Sequence, residues 1–210
     1  MMLSFVFLQL ISRIVMITRL AIMASGNGTN AQRIMEFFSI TPRIRAALLL
    51  CNNPEAFVLE RAQKMKVPTI VFDRKEFTGS RHILDILSIH GIDWIILAGF
   101  LWLIPKHILS CYPGRIINIH PALLPKYGGK GMYGMKVHEA VIHNREKESG
   151  ITIHYVNEFY DEGQVIFQEK CPVFTGDTPA TLASRVHELE YRWYPEVIER
   201  TILEKTGKKR

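Results

Sequence analysis

Short apolar runs alternate with segments of helical spacing through the first half of the chain, and this alternation constrains the fold more than any other feature. Apolar runs that predict buried strands lie at 19–24, 45–51, 67–72, 93–98 and 115–119. Segments with the periodicity of helices lie at 29–38, 54–66, 81–90 and 105–111, and the second of them is predicted to begin at Pro54. Continuous apolar strands between helices are typical of a doubly wound, mostly parallel α/β sheet of the Rossmann-like kind.

The second half of the chain has a different pattern. Residues 150–156 alternate between apolar and polar types, and residues 164–168 do the same after a turn at 160–163, so the pair predicts a hairpin-like unit. Residues 178–202 predict a long amphipathic helix, which Pro195 is expected to kink or split. The 210 residues suggest a single domain.

The first eleven residues are apolar, but no basic residue precedes them and the run is too short to span a bilayer. We interpret residues 1–15 as a leader or a misassigned start, with Met16 as the alternative start. Residues 16–210 are then expected to form the domain.

Charge and cysteine content exclude several classes of function. The net charge is +6, but the basic residues are scattered, and the one dense run, at 205–210, is expected to be a solvated tail. Nucleic acid is therefore not an expected partner. The three cysteines lack C-x-x-C spacing, and the histidines lack ligand spacing, so we expect neither a disulfide framework nor a metal site. Reduced thiols are typical of a cytoplasmic protein.

The first motif is S-G-N-G-T-N at residues 25–30, between a predicted strand and a predicted helix. Glycines allow a close approach of the backbone to a phosphate, and a helix N-terminus supplies N–H donors. The pattern lacks the third glycine of a dinucleotide fingerprint and the Lys-Ser/Thr ending of a P-loop, which favours a phosphate monoester. The alternative is an ordinary tight turn in which Thr29 or Asn30 caps the helix, and these residues alone favour neither.

The second motif is Asn118-Ile-His120, followed by a proline-rich loop. Residues two apart on a strand face the same side, so an amide donor and an imidazole are expected side by side. The amide can stabilise an oxyanion and the imidazole can transfer protons, which outweighs the alternative of an ordinary buried histidine. Asp161, in the later turn, could orient His120, although its spacing alone favours a plain turn aspartate.

These motifs are expected to meet in one cleft. In a doubly wound sheet, ligands bind beyond the carboxyl ends of the strands, and the predicted strand ends carry residues 25–30, 99–102 and 118–120.

The order and spacing of five segments resemble those of the phosphoribosylglycinamide formyltransferases, a branch of the folate-dependent formyltransferase superfamily. The segments are residues 25–30, 97–100, 117–127, 150–154 and 161–163. The resemblance extends from about residue 20 to residue 202, and its most specific part is N-x-H-P-x-L-L-P at 118–125.

The resemblance implies transfer of a formyl group from 10-formyltetrahydrofolate to the amine of 5'-phosphoribosylglycinamide, a step of de novo purine biosynthesis, without a metal. Asn118 would stabilise the oxyanion, His120 would donate a proton or stabilise charge, and Asp161 would raise the pKa of His120 and help to shuttle protons. The remaining implied contacts are Gly28, Thr29 and Asn30 to the substrate phosphate, Glu190 to the glycinamide, and Leu101, Trp102, Leu103, Ile104 and Asn118 to the folate.

Three features depart from the family pattern. Trp102 stands where many members have arginine, and the glycine-rich loop at 127–135 is longer than usual. A basic residue upstream of the fourth strand often helps to bind folate in this family, and Arg81 is the nearest candidate.

Rival interpretations remain. Methionyl-tRNA formyltransferase and formyltetrahydrofolate hydrolase share the core but carry additional domains. We do not expect such a domain within the 210 residues. The chain could also be a sugar N-formyltransferase, another formyltetrahydrofolate-using enzyme or a non-catalytic phosphate- or nucleotide-binding module. Small-molecule substrates, no membrane partner, and a monomer or homodimer are expected.

Overall fold

The computed structural model describes residues 17–207. Its centre is a seven-stranded sheet in the order β3-β2-β1-β4-β5-β6-β7. The strands are β1 (Thr18–Ala24), β2 (Ile44–Cys51), β3 (Thr69–Val71), β4 (Trp94–Leu97), β5 (Ile116–His120), β6 (Glu148–Tyr155) and β7 (Val165–Pro172). Neighbours among β1–β5 pair in parallel, whereas β6 pairs antiparallel with both β5 and β7. The predicted mostly parallel sheet is therefore confirmed.

Helices cover both faces of this sheet. They are α1 (Thr29–Ser39), α2 (Val58–Lys64), α3 (Arg74–Gly79), α4 (His82–Ile89), α5 (Lys106–Cys111), α6 (Met135–His143) and α7 (Pro179–Gly207). Alternate residues of β1 enter two different cores. Leu20 and Ile22 pack with α1, α2 and α7, whereas Ala21 and Met23 pack with α3, α4 and α5. The doubly wound fold thus follows from strands that are apolar on both sides.

The strand order reverses at β1, which lies between β2 and β4. A crevice opens at the carboxyl ends of strands at such a switch point, because the chain leaves the two strands toward opposite faces. The connections after β1, β4 and β5 all begin at this edge.

The helix that is predicted to begin at Pro54 begins at Val58 instead. Asn53 explains the difference, because its side chain accepts a hydrogen bond from the Glu55 N–H (3.0 Å) and its carbonyl accepts one from the Ala56 N–H (3.2 Å). An Asx turn of this kind competes with helix for the same backbone groups.

Helix α3 is not predicted by the sequence pattern. Its start carries a capping box, in which Asp73 accepts from the Glu76 N–H and Glu76 accepts from the Asp73 N–H, each at 2.8 Å. The D-x-x-E spacing is the sequence signal that marks this start.

Helix α7 runs unbroken through Pro195, so the predicted split is wrong. Its neighbours Tyr194 and Val197 are buried, and this tertiary packing holds the helix together across the proline. Lys205, the first residue of the run expected to be a solvated tail, is exposed but lies in α7 and donates to the Gly114 carbonyl (2.5 Å). Residues 208–210 of that run lie outside the described residues.

The interpretation of residues 1–15 concerns a segment outside the described residues. Within 17–207, no helix has the length and apolar character that crossing a bilayer requires.

Candidate active site

The turn between β1 and α1 is held open by Gly28, which has a left-handed φ of 76°. A Cβ at this position would lie 2.2 Å from Val58 Cγ2, so only glycine fits. Arg61 braces the preceding residue from α2, with Nε donating to the Asn27 carbonyl and a terminal nitrogen donating to its side chain, both at 2.8 Å. The turn is therefore rigid on the side that faces away from the cleft.

Gly28 is the N-cap of α1, and within residues 17–207 no side chain caps this helix. The alternative in which Thr29 or Asn30 serves as the cap is therefore wrong. The Asn30 amide instead donates to Glu190 Oε2 (2.9 Å), across 160 positions of sequence. The structure thus brings together two of the residues that are predicted to bind the substrate.

Glu190 is buried on α7, at 5% exposure. Burial raises its pKa to about 7, and the hydrogen bond from Asn30 offsets only part of this shift. Asn30 Oδ1 is also buried and has no hydrogen-bond partner among the described residues, so it remains available to a ligand.

The strand ends converge as the fold class predicts. The Ser25 N–H donates to the Gly99 carbonyl, and the Leu101 N–H donates to Ser25 Oγ, both at 3.1 Å. Tyr194 on α7 is fully buried and donates its hydroxyl to the carbonyls of Leu97 (2.8 Å) and Ile117 (3.2 Å). One helix therefore contacts β4, β5 and the turn after β1.

Asn118 on β5 stands directly opposite His154 on β6. Its amide nitrogen is 3.2 Å from His154 Nε2, and His154 Nδ1 is 2.9 Å from the Tyr155 carbonyl oxygen. A carbonyl only accepts, so Nδ1 carries the proton and Nε2 of the neutral ring accepts from Asn118. The second amide hydrogen of Asn118 is left to serve a ligand.

Asp161 lies between two imidazoles. Its Oδ2 is 3.5 Å from His120 Nδ1, and its Oδ1 is 3.7 Å from His154 Nε2. Oδ2 also accepts from the Gly129 N–H at 2.9 Å. Burial acts to raise the pKa of Asp161, but the positive charge that His154 and His120 carry when protonated, together with the Gly129 N–H, holds it below its ordinary value. The carboxylate is thus ionised and faces His120, unlike that of a plain turn aspartate.

His120 is buried, at 4% exposure, with both ring nitrogens near acceptors. Nε2 is 2.7 Å from the Tyr127 carbonyl oxygen and therefore donates to it. Nδ1 faces Asp161 and carries a proton only in the imidazolium. Burial lowers the pKa of His120 below its ordinary value, although Asp161 and the Tyr127 carbonyl act to raise it. Asp161 thus acts in the direction that the resemblance implies, but desolvation outweighs it, so the net shift of the pKa is downward.

The stretch predicted to bind folate follows β4. Leu101 is 46% exposed, Leu103 is half-buried, and Ile104 is packed in the core at 2% exposure. Trp102 joins an aromatic cluster with Phe72, Phe77 and Phe100, at centroid distances of 5.7–6.1 Å. The stretch thus offers an apolar surface through Leu101 and Trp102, while Ile104 supports it from below.

The comparison with known families decides the assignment. The profile of the formyl transferase family matches residues 18–198. This chain belongs to the formyltransferase family.

Named relatives within this family agree with one another. The phosphoribosylglycinamide formyltransferase of Bacillus subtilis (strain 168) is 37% identical over 195 residues, which cover 88% of this chain and 94% of the relative. The chloroplastic phosphoribosylglycinamide formyltransferase of Arabidopsis thaliana is 40% identical over 186 residues. The aligned region covers 86% of this chain but only 64% of the plant protein.

Solved structures of the family share the fold. The crystal structure of glycinamide ribonucleotide transformylase 1 from Geobacillus kaustophilus has a TM-score of 0.78 and 39% identity, covering 87% of this chain and 97% of that one. Phosphoribosylglycinamide formyltransferase from Bacillus halodurans has a TM-score of 0.79 and 35% identity, covering 90% and 97%.

Within this formyltransferase, three contributors to the site are not predicted by the sequence motifs. His154 lies on β6, and the only sequence signal for its position is the alternation of residues along that strand, which places it on the same face as the β5 motif. Tyr127 contributes a backbone carbonyl, for which no side-chain signal exists. Arg74 stacks its guanidinium 4.8 Å from the Trp102 ring centre, whereas Arg81, the residue expected to bind folate, is exposed at the N-cap of α4.

No three or more histidine, cysteine, aspartate or glutamate side chains among residues 17–207 are grouped so as to hold a metal ion.

Proposed function

We propose that this formyltransferase transfers the formyl group of 10-formyltetrahydrofolate to the amine of 5'-phosphoribosylglycinamide in de novo purine biosynthesis. The observation that carries the proposal is the cluster of Asn118, His120 and Asp161 at the end of β5. The names of the relatives support the same acceptor, phosphoribosylglycinamide, and the same transferred group, formyl.

The proposed reaction begins with attack of the glycinamide amine on the formyl carbon. As the carbon–nitrogen bond forms, negative charge develops on the formyl oxygen, and the free amide hydrogen of Asn118 stabilises it. The amine then loses a proton, the bond between the formyl carbon and folate N10 breaks, and N10 gains a proton. The two proton transfers therefore require a group that can accept a proton and release it again.

His120 is proposed as that group. Its Nδ1 faces the ionised Asp161, so a proton that arrives there is held by charge. Because burial keeps the pKa of His120 low, the proton is also released readily. His154 supports this arrangement by binding Asn118 and approaching the same carboxylate.

The substrate phosphate is proposed to bind at Gly28, Thr29 and Asn30. Support comes from the left-handed glycine before α1 and from the absence of a side chain capping that helix. Glu190, in contact with Asn30, is then proposed to bind the glycinamide portion.

The folate is proposed to lie along residues 101–104 and against Asn118, with Leu101 and Trp102 supplying the apolar surface. No step is assigned to a metal. A cytoplasmic location is part of the proposal, and three free cysteines support it. We also propose small-molecule substrates, no nucleic-acid or membrane partner, and a monomeric or homodimeric state.

The decisive assay follows the loss of 10-formylfolate by absorbance, with phosphoribosylglycinamide or an amino sugar as acceptor. We expect turnover with the first acceptor only. Turnover with the amino sugar alone would make the chain a sugar N-formyltransferase, and binding of the phosphorylated compound without turnover would favour a non-catalytic module.

A further inference from the structure

Tyr127 is the residue whose carbonyl accepts from His120, and its backbone is unusual. Its φ is 58°, in the left-handed region that residues with a side chain rarely adopt. Such a conformation persists only when neighbouring contacts hold it in place. Contacts elsewhere in the residue must therefore hold Tyr127.

The tyrosine hydroxyl makes these contacts. It donates to Glu146 Oε1 (2.9 Å) and accepts from the Asn144 side-chain amide (3.0 Å). Lys126 donates to the same glutamate oxygen (2.9 Å). Lys126 and Tyr127 hold the pKa of Glu146 below its ordinary value, so the acceptor remains charged.

Tyr127 is half-buried and packs against the hydrophobic core, but it also borders a cavity. Lys126, Tyr127 and Glu146 line a cavity of about 350 Å³ that lies against Leu123 and Val141. Since the ring borders open space, its position depends on the hydroxyl contacts more than a core residue would.

The backbone after Tyr127 contacts the other half of the pair. The Gly129 N–H donates to Asp161, and a Cβ at Gly128 would lie 3.2 Å from Asp161 Cβ. Residues 127–129 thus bind His120 through a carbonyl and Asp161 through an N–H.

We propose that Glu146, acting through the Tyr127 hydroxyl, is a positioning residue that fixes the tautomer of His120. With the Tyr127 carbonyl in place, the neutral ring carries its proton on Nε2 and leaves Nδ1 open toward Asp161. Without it, the proton moves to Nδ1, where it donates to the carboxylate, and the ring no longer has an empty site facing Asp161. The functional consequence rests on the proposed formyl transfer, whereas the tautomer itself does not.

The chain offers a matched control. Glu148 lies two residues from Glu146, is also a surface glutamate, and pairs with Lys170 rather than with Tyr127. Glu146→Ala and Tyr127→Phe remove the contact, Glu146→Gln keeps an acceptor oxygen, and Glu148→Ala tests the loss of a nearby charge.

The experiment measures the His120 tautomer by ¹⁵N NMR in the full-length chain, above the pKa of the ring. We expect Nε2–H in the wild type and in Glu148→Ala, and a shift toward Nδ1–H in Glu146→Ala and Tyr127→Phe, with Glu146→Gln closer to wild type than Glu146→Ala. In the formyl-transfer assay, kcat should fall about tenfold in the two disruptive variants, with KM changed less than about twofold. The double variant should be no worse than either single one.

An unchanged tautomer in folded Tyr127→Phe would overturn the proposal, as would an equal change in Glu148→Ala. If the wild type shows no formyl transfer, the proposed function fails, while the NMR measurement still decides whether Glu146 controls His120.

Discussion

The candidate site contains two carboxyl groups, one buried and one half-buried, and their pKa values shift in opposite directions. Glu190, beside the turn after β1, has a pKa raised to about 7, whereas that of Asp161, beside β5, is lowered. Burial acts to raise both values. The difference lies in the partners. Glu190 has one hydrogen-bond donor, Asn30, and one exposed imidazole, His187, at 4.0 Å, whereas Asp161 has two buried imidazoles and a backbone N–H.

The number and charge of the partners therefore decide which carboxyl stays ionised. An ionised Asp161 suits a role beside a histidine that gains and loses a proton. A carboxyl that is partly protonated near neutral pH, such as Glu190, can both donate to and accept from a polar substrate. The two carboxyl groups thus differ in protonation near neutral pH, although burial acts to raise the pKa of both.

The largest effect is expected at the ionised end. Asp161→Asn keeps the size of the side chain but removes its charge, and His120→Ala removes the imidazole. We expect each to lower kcat by about 10²–10⁴-fold while circular dichroism stays unchanged. Wild-type rates in either folded variant would contradict the proposed role of the pair.

A smaller effect is expected from Glu190→Gln, seen in stability. Folding raises the pKa of Glu190 from 4.5 to about 7, so the folded state binds the proton more tightly. The contribution of Glu190 to the free energy of unfolding is fully present below about pH 4.5 and is lost as the pH rises through about 7. This loss amounts to about 3 kcal/mol. The variant should lack this loss.

Urea unfolding of wild type and Glu190→Gln at pH 5 and pH 8 measures this difference. Asp161 provides the opposite case, since its contribution is present above its ordinary value and is lost as the pH falls through its lowered pKa. The wild type could instead lose no more stability than Glu190→Gln between pH 5 and pH 8. Glu190 would then be ionised at both pH values, and the contrast between the two carboxyl groups would disappear.

The smallest effect is expected from Thr29→Val, which removes one hydroxyl and keeps the shape. One hydrogen bond to a charged phosphate corresponds to a rise in KM of roughly tenfold, with kcat unchanged. An unchanged KM for phosphoribosylglycinamide would remove Thr29 from the proposed phosphate site.

The sequence predicted the sheet well because apolar strands buried on both faces leave a continuous signal. It predicted helix ends less well where local side-chain bonds compete with helix, as at Asn53. It missed α3 because only six residues form it, too few for a periodic pattern.

For the candidate site, the sequence pattern placed Asn118 and His120 on one strand end, and the resemblance assigned Asn30 and Glu190 to different parts of one substrate without predicting their contact. The direction of the His120 pKa shift was not predictable, because it depends on how deeply the fold buries the ring. The link from Glu146 through Tyr127 to His120 could not be predicted either, because it passes through a backbone carbonyl. Contacts of this kind depend on conformation rather than on residue type.

The hydrogen bond between Asn30 and Glu190 joins the two ends of the domain, 160 residues apart. At ribosomal rates of about 5–20 residues per second, roughly 8–30 s separate the synthesis of the two partners. The turn that carries Gly28 can form early, since its bracing residues Asn27 and Arg61 are close in sequence. A growing chain can therefore form the turn long before α7 is synthesised, whereas the hydrogen bond between Asn30 and Glu190 forms only after α7 has emerged.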